Sequence, residues 1–316
     1  MIRSVITVVA AVVAAAMMSG AAAAAEIGIV AFQMSSDTHA RTANAAADHA
    51  RAAGVEATVL NSEGAVPKHA EQVDTLIQKG VDGIILAMGK TQELDAQLAA
   101  AKAKGIPVIT VMSGTSPHTA FDVNVNEAAV GAQIGMHLLG LMNFEGALMM
   151  QRYEGHGGTR MRGRIMDVIL EENTGVSVAG THSMARTQSW REDVRAGMEA
   201  LILKNRGQFQ AIWASFDGQG FVIDDLLREQ GYKRGEVFLT GVDGGQEAFA
   251  RIRDPESLFT ATVAIPFESM GVAAVDAMMR LLDGAAPEEI TAGPFLYMDA
   301  VLVDSTNVPA EGEWPW

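Results

Sequence analysis

Short runs of aliphatic and β-branched residues alternate with longer stretches of helical character, and the alternation persists over nearly the whole chain. Residues 27–32, 55–60, 83–87 and 106–111 read as strands, and 40–53, 68–79 and 93–104 as helices. Gly54, Gly80 and Gly105 follow these helices; glycine enters the left-handed C′ conformation without a Cβ clash. The strands are continuously apolar rather than alternating, which requires both faces to be covered. That pattern predicts an α/β fold with a parallel sheet and helices on each side. Right-handed crossovers then wind it doubly.

The pattern resets once. Residues 121–125 read as a strand or crossover. Strands follow at 147–151, 176–181, 211–215, 237–242 and 258–263, and helices at 128–142, 160–172, 190–204, 222–230 and 246–253. A helix at 269–282 and a last strand at 295–303 complete the series, and the tail through Pro309 to Trp316 reads as a loose extension. The 316 residues suit two such units. With 49% hydrophobic and 19% charged residues, disorder is excluded. No Pro- or Ser-rich linker separates the units, so several short connections are expected between them.

Arg3 precedes an apolar run from Val5 to Met18 broken only by Thr7, and Ala23-Ala24-Ala25 offers a small-residue cleavage site before Glu26. This reads as a cleavable secretory signal peptide over 1–25, and the expected location is the periplasm. No Cys follows for a lipid anchor, and the chain has none at all. Disulfides, thiol nucleophiles, zinc–thiolate sites and iron–sulfur clusters are therefore excluded. The formal net charge of −15 argues against nucleic acid as a partner, because phosphate binding needs a basic face. The 18 Met residues are scattered, as in core packing, and the 7 His residues show no H-x-x-x-H or H-E-x-x-H spacing. No metal and no cofactor is expected.

Four stretches carry a resemblance to a known family. They are the strand, polar loop and helix of 27–54; Gly80-Val81-Asp82-Gly83-Ile84-Ile85-Leu86 with Gly105-Ile106-Pro107-Val108-Ile109-Thr110; Gly241-Val242-Asp243-Gly244; and Thr260-Ala261-Thr262-Val263 before a Pro-containing crossover. In order and spacing the chain resembles the periplasmic sugar-binding proteins of ABC importers, the type I group that includes ribose- and galactose-binding proteins. The resemblance runs from about Ile27 to Val303. It implies two Rossmann-like lobes joined by a three-crossover hinge, with the ligand between them. The crossovers are expected near 124–126, 265–266 and 294–296. The lobes would be 26–124 with 266–293, and 125–265 with 294–316. An open parallel sheet binds ligands beyond the carboxyl ends of its strands, which agrees.

The resemblance also implies a site, position by position. Ser35 falls where relatives use Asn, and Thr38 and His39 where they use sugar-stacking Phe; Ser36, Asp37 or Thr38 can equally cap the following helix. Lys90 either enters the cleft or is a solvated lysine. Met112 and Ser113 stand where ribose binders carry an Asp–Arg pair, a departure that argues against ribose in its familiar pose. Gly155-His156-Gly157-Gly158-Thr159-Arg160 is neither a dinucleotide nor a Walker fingerprint. Arg160 matches the family's ligand-binding Arg, whose fork bonds two hydroxyls or a carboxylate, and Arg162 reads as a supporting ion-pair residue. Trp190 offers a stacking face, while Trp213 reads as core. Phe216 and Asp217 replace Asn-Asp, with Asp217 open to hydroxyl binding or helix capping. Asp243 matches a ligand-binding Asp. Ile265 replaces a Gln, and the role of Glu268 is open.

The expected function is the solute-binding component of an ABC importer. It would be a monomer that captures a monosaccharide or sugar alcohol by hinge closure and docks on a membrane permease, with no chemistry done. The alternative within the binding class is a periplasmic sensor presenting a sugar-like signal, such as an autoinducer-like furanose, to a membrane receptor. A sugar-responsive repressor core would need an N-terminal helix-turn-helix where the leader stands. An exported Rossmann-like enzyme would need a G-x-S-x-G elbow, a dinucleotide fingerprint or a zincin motif, and the sequence has none.

Overall fold

The computed structural model describes residues 24–185 and 189–316. The expected leader at 1–25 falls almost wholly outside them. In chain order the elements are β1 (Glu26–Ala31), α1 (Asp37–Ala52), β2 (Glu56–Asn61), α2 (Val66–Lys79), β3 (Gly83–Ala87), α3 (Asp95–Ala103), β4 (Val108–Val111) and β5 (Asp122–Asn124). They continue with α4 (Glu127–Leu141), β6 (Gly146–Arg152), α5 (Gly157–Glu172), β7 (Val176–Ser183), α6 (Trp190–Lys204), β8 (Ala211–Ala214), α7 (Asp217–Glu229), β9 (Phe238–Asp243), α8 (Gln246–Arg253) and β10 (Phe259–Ala264). The last are α9 (Phe267–Leu282), β11 (Phe295–Tyr297) and β12 (Val301–Val303).

Two six-stranded sheets form, in the orders β11-β5-β4-β3-β1-β2 and β12-β10-β9-β8-β6-β7. In the first, β1 lies parallel between β2 and β3, with Ile29 opposite Val59 and Ile85. In the second, β6 lies parallel between β7 and β8, with Met150 opposite Thr181 and Trp213. Both orders reverse direction at their first strand, so each has a switch point where two neighbouring loops splay apart. Strands β3 and β4 are buried along their whole length, as continuous apolar runs predict. Gly80 takes φ 75° at the end of α2, the left-handed cap expected there.

Helices close on their neighbours through small residues. A Cβ on Gly271 of α9 would lie 2.4 Å from the Thr42 carbonyl oxygen of α1, and one on Gly83 of β3 would lie 2.4 Å from Met278 Sδ. Helix α9 therefore packs on the first sheet although it follows β10 of the second. A Cβ on Gly131 of α4 would lie 2.9 Å from Arg162 Cα of α5, so those backbones also nearly touch.

Two expectations change. Helix α7 starts at Asp217, five residues before the predicted 222. Gly218 and Gly220 look like loop residues in isolation, but a Cβ on Gly220 would meet the Phe259 ring at 2.6 Å, and its absence lets the first turn lie against β10. The predicted single strand 295–303 is two strands. Phe295–Tyr297 pairs in parallel with β5, and Val301–Val303 pairs antiparallel with β10. Residues 295–297 thus pair in the first sheet and residues 301–303 in the second, and residues 298–300 join them. The Met298 N–H donates to the Asn124 carbonyl at 2.8 Å before the chain leaves. Each half of this segment completes the open edge of a different sheet.

Candidate binding cleft

The carboxyl ends of the two sheets face each other across a cleft of about 780 Å³. Loops after β1, β3 and β4 line it from one side, and loops after β6, β8 and β9 from the other. Strand polarity alone dictates which loops these are.

The floor on the second side is built around Asp243, the last residue of β9. Its φ of 139° is a conformation that L-residues rarely adopt, and Gly244 and Gly245 follow with φ 69° and 151°. Strain of this kind costs about 1–3 kcal/mol and persists only where the surroundings enforce it. Asp217 enforces it here. Its carboxylate accepts the Gly244 N–H at 2.7 Å and the Thr262 hydroxyl at 2.8 Å. Burial, then the Asp243 charge beside it, push the Asp217 carboxyl well above the usual range. Arg162 reaches in from α5. Its Nε and Nη2 donate to the two Glu127 oxygens of α4 at 2.6 and 3.0 Å, and Nη1 donates to the Ser215 carbonyl at 3.1 Å and faces Asp243 Oδ1 at 3.4 Å. Arg162 is shared among several acids, and its charge together with that of Arg41 does not offset the burial of Asp243. Burial pushes its pKa from 3.8 to about 7, against the opposing Arg162 and with the help of Glu127. Near neutral pH this carboxyl can either donate to or accept from a hydroxyl.

An aromatic wall stands beside this floor. Trp190 and Tyr153 both meet the Phe216 ring edge-on, at centroid distances of 5.4 and 6.2 Å. A Cβ on Gly218 would lie 3.1 Å from both the Phe216 and Trp190 rings, so glycine leaves the room they need.

A neutral imidazole and a cation furnish the first side. His39 Nδ1 accepts the Gln33 N–H at 3.2 Å, which leaves the proton on Nε2. Burial, and after it the neighbouring His156 and Lys90, lower its pKa to about 3. His156 belongs to the second side, where its Nδ1 accepts from the Gly158 N–H at 3.2 Å and caps α5. Its Nε2 donates across the cleft to the Met112 carbonyl at 3.0 Å, and burial again holds the pKa near 3. The Lys90 ammonium sits 5.0 Å from the centre of the Phe32 ring.

Of the residues singled out from sequence, Ser35, Thr38, His39, Lys90, Met112, Trp190, Phe216, Asp217 and Asp243 line the cleft. The Asp217 oxygens are engaged in bracing the β9–α8 turn, a role that neither sequence reading of this residue anticipated. Ser113, Arg160 and Ile265 lie elsewhere. The Ser113 hydroxyl accepts the Gly89 N–H at 2.6 Å and pins two loops together. Ile265 is fully buried in the crossover. Arg160 bonds the Glu154 carbonyl, 2.9 Å from Nη1, and Arg162, read as a supporting ion-pair residue, pairs with Glu127 and lines the cleft. The signal was available in the helix period. Thr159, Arg162, Met166 and Ile169 form the buried stripe of α5, and Arg160 falls off it. His156, Phe32, Tyr153, Arg41 and Trp314 also line the cleft and were not singled out.

The profile of the periplasmic binding protein domain matches residues 27–286. The xylitol-binding protein of Mycolicibacterium smegmatis is 27% identical over 301 residues, which cover 90% of this chain and 79% of that protein. The ribose import binding protein of Bacillus subtilis is 21% identical over 249 residues, 78% of this chain and 77% of its own. Among solved structures, an ABC transporter solute-binding protein from Agrobacterium vitis with bound allitol shares the fold, with a TM-score of 0.80 at 23% identity and coverage of 90% and 97%.

Proposed function

The chain belongs to the periplasmic binding protein family, a class that binds solutes rather than transforming them, and we propose that it captures a small polyol or monosaccharide and delivers it to the permease of an ABC importer. One observation carries this reading. The cleft sets a strained carboxyl at Asp243, its pKa raised by burial, and the Arg162 guanidinium beside the Trp190–Phe216–Tyr153 wall. Hydroxyls need charged or ambivalent bonding partners, and the C–H faces of the same solute need aromatic rings. The relatives named for xylitol and ribose support this solute class, and the import role in the second name supports transport over signal presentation.

The ligand-binding residues in this reading are Ser35, Thr38, His39, Lys90, Met112, Trp190, Phe216 and Asp243, with Arg162 in place of Arg160. The lobes are 26–124 with 267–297, and 127–264 with 301–316. They swing about the crossovers at 125–126, 265–266 and 298–300, and closure removes the solute from water. The mature protein works as a monomer in the periplasm after loss of residues 1–25.

A thermal-shift screen with xylitol, allitol, ribose and glycerol tests the proposal. Ligand at about 100 times its dissociation constant adds about 2.7 kcal/mol to the folded state and raises the melting temperature. If none of these solutes shifts the midpoint while an unrelated solute such as an amino acid does, the solute class is wrong.

A further inference from the structure

The segment after β12, which reads from sequence as a loose extension, is built into the second lobe. The Gln246 side chain of α8 donates to the Glu313 carbonyl at 2.9 Å and accepts the Gly312 N–H at 3.0 Å. Arg253 bonds the Pro309 carbonyl. The Trp314 ring stands edge-on to Phe249 at 5.9 Å and stacks on Trp316 at 5.3 Å. Trp314 then reaches across the cleft mouth. The Arg41 guanidinium of α1, in the first lobe, lies 4.7 Å from the centre of its ring.

Arg41 is held by both lobes at once. Its own lobe fixes it through the Glu268 carboxylate, at 2.7 and 3.0 Å, and the Phe267 ring at 5.1 Å. The exposed Asp37, one turn earlier on α1, adds a long contact at 3.5 Å. The other lobe holds it through the Gly244 carbonyl at 2.6 Å and through Trp314. The Glu268 fork pre-orients the guanidinium before the lobes meet. The tryptophan face supplies cation–π attraction and shields the Gly244 bond from water.

We propose that Trp314 is a retention residue, which clamps Arg41 across the cleft mouth and sets how long the lobes stay closed. The inference rests on the two-lobe capture reading above but not on the identity of the solute.

The absence of Cys allows clean labelling. Dyes on Glu71→Cys of α2 and Glu192→Cys of α6, both exposed positions, report the separation of the lobes by single-molecule energy transfer. Measurements are made without solute and with saturating xylitol. The expected result is a closed-state lifetime about tenfold shorter in Trp314→Ala and Trp314→Leu. Trp314→Phe should keep most of the lifetime, because it retains a ring face, and Arg41→Ala, which also removes the Gly244 bond, should shorten it at least as much as Trp314→Ala. Melting curves of the Leu and Phe variants check that both are folded. Wild-type lifetimes in both Trp314→Ala and Trp314→Leu overturn the proposal. So does a wild-type protein that never reaches the short separation under either condition. Insensitivity to xylitol alone, with a Trp314-dependent closed state in its absence, counts instead against the solute class.

Discussion

Replacing Arg162 by Ala removes the guanidinium that binds the Glu127 carboxylate and faces Asp243. Its side chain is 2% exposed, and those of Glu127 and Asp243 are 11% and 17% exposed. Water therefore cannot take over its role. Breaking a buried pair by deleting one partner costs about 3–5 kcal/mol, because the remaining charge stays desolvated. At the low end of about 2 °C per kcal/mol for a large domain, the melting midpoint falls by roughly 6–10 °C. The loss should be greatest at pH 8, above the raised pKa of Asp243. It should shrink at pH 5, since Asp243, with its pKa raised to about 7, is already protonated there and leaves no charge stranded. Arg160→Ala is the control. That side chain bonds only the Glu154 carbonyl among the described contacts, and a surface change of this kind stays within about 0.5 kcal/mol. Calorimetric melts of both variants at the two pH values decide the matter. If Arg162→Ala melts within about 1 °C of wild type at pH 8, or if Arg160→Ala is equally damaging, the buried-cluster reasoning is refuted.

Asp243→Asn should stabilise the protein more at pH 8 than at pH 5. A carboxyl raised from 3.8 to about 7 contributes stability that is fully present below about pH 4 and lost as pH rises through 7. Asn removes that loss, and a stability difference that does not change with pH would contradict it. The imidazoles act in the opposite sense. His39 and His156 near 3, and His69 near 4, contribute stability that is present above the ordinary 6.5 and lost as pH falls toward 4. Wild-type melting should therefore decline on the acid side, and His39→Gln should flatten that limb. Gly271→Ala should cost about 1–3 kcal/mol by driving α1 from α9, where the added Cβ would meet backbone; unchanged melting would show that the helices separate freely. Trp190→Ala should weaken xylitol binding about tenfold by calorimetry, the value of a lost aromatic face of roughly 1–1.5 kcal/mol. Full affinity in this variant would remove Trp190 from the site.

How much of this was legible in the sequence depended on the range of the interaction involved. Strand and helix identities rest on local periodicity and on glycines such as Gly80, and they emerged nearly in place. Strand polarity then assigned the loops that line the cleft, and the family resemblance, taken position by position, picked Ser35, His39, Lys90, Phe216 and Asp243 on them. Arg162 forms the ion pair read for it, and the helix period of α5 puts it, rather than Arg160, on the buried stripe, a signal that the position-by-position resemblance passed over. The run 295–303 reads as one strand because nothing local marks where one sheet edge is filled and the other begins. The tail through Trp314 looked unstructured for a related reason: its partners, Phe249, Gln246 and Arg41, lie more than sixty residues away. Backbone propensity and hydrophobic period act between near neighbours and are written in the sequence. Packing partners and shared charges across a cleft are brought together only when the chain has closed on itself.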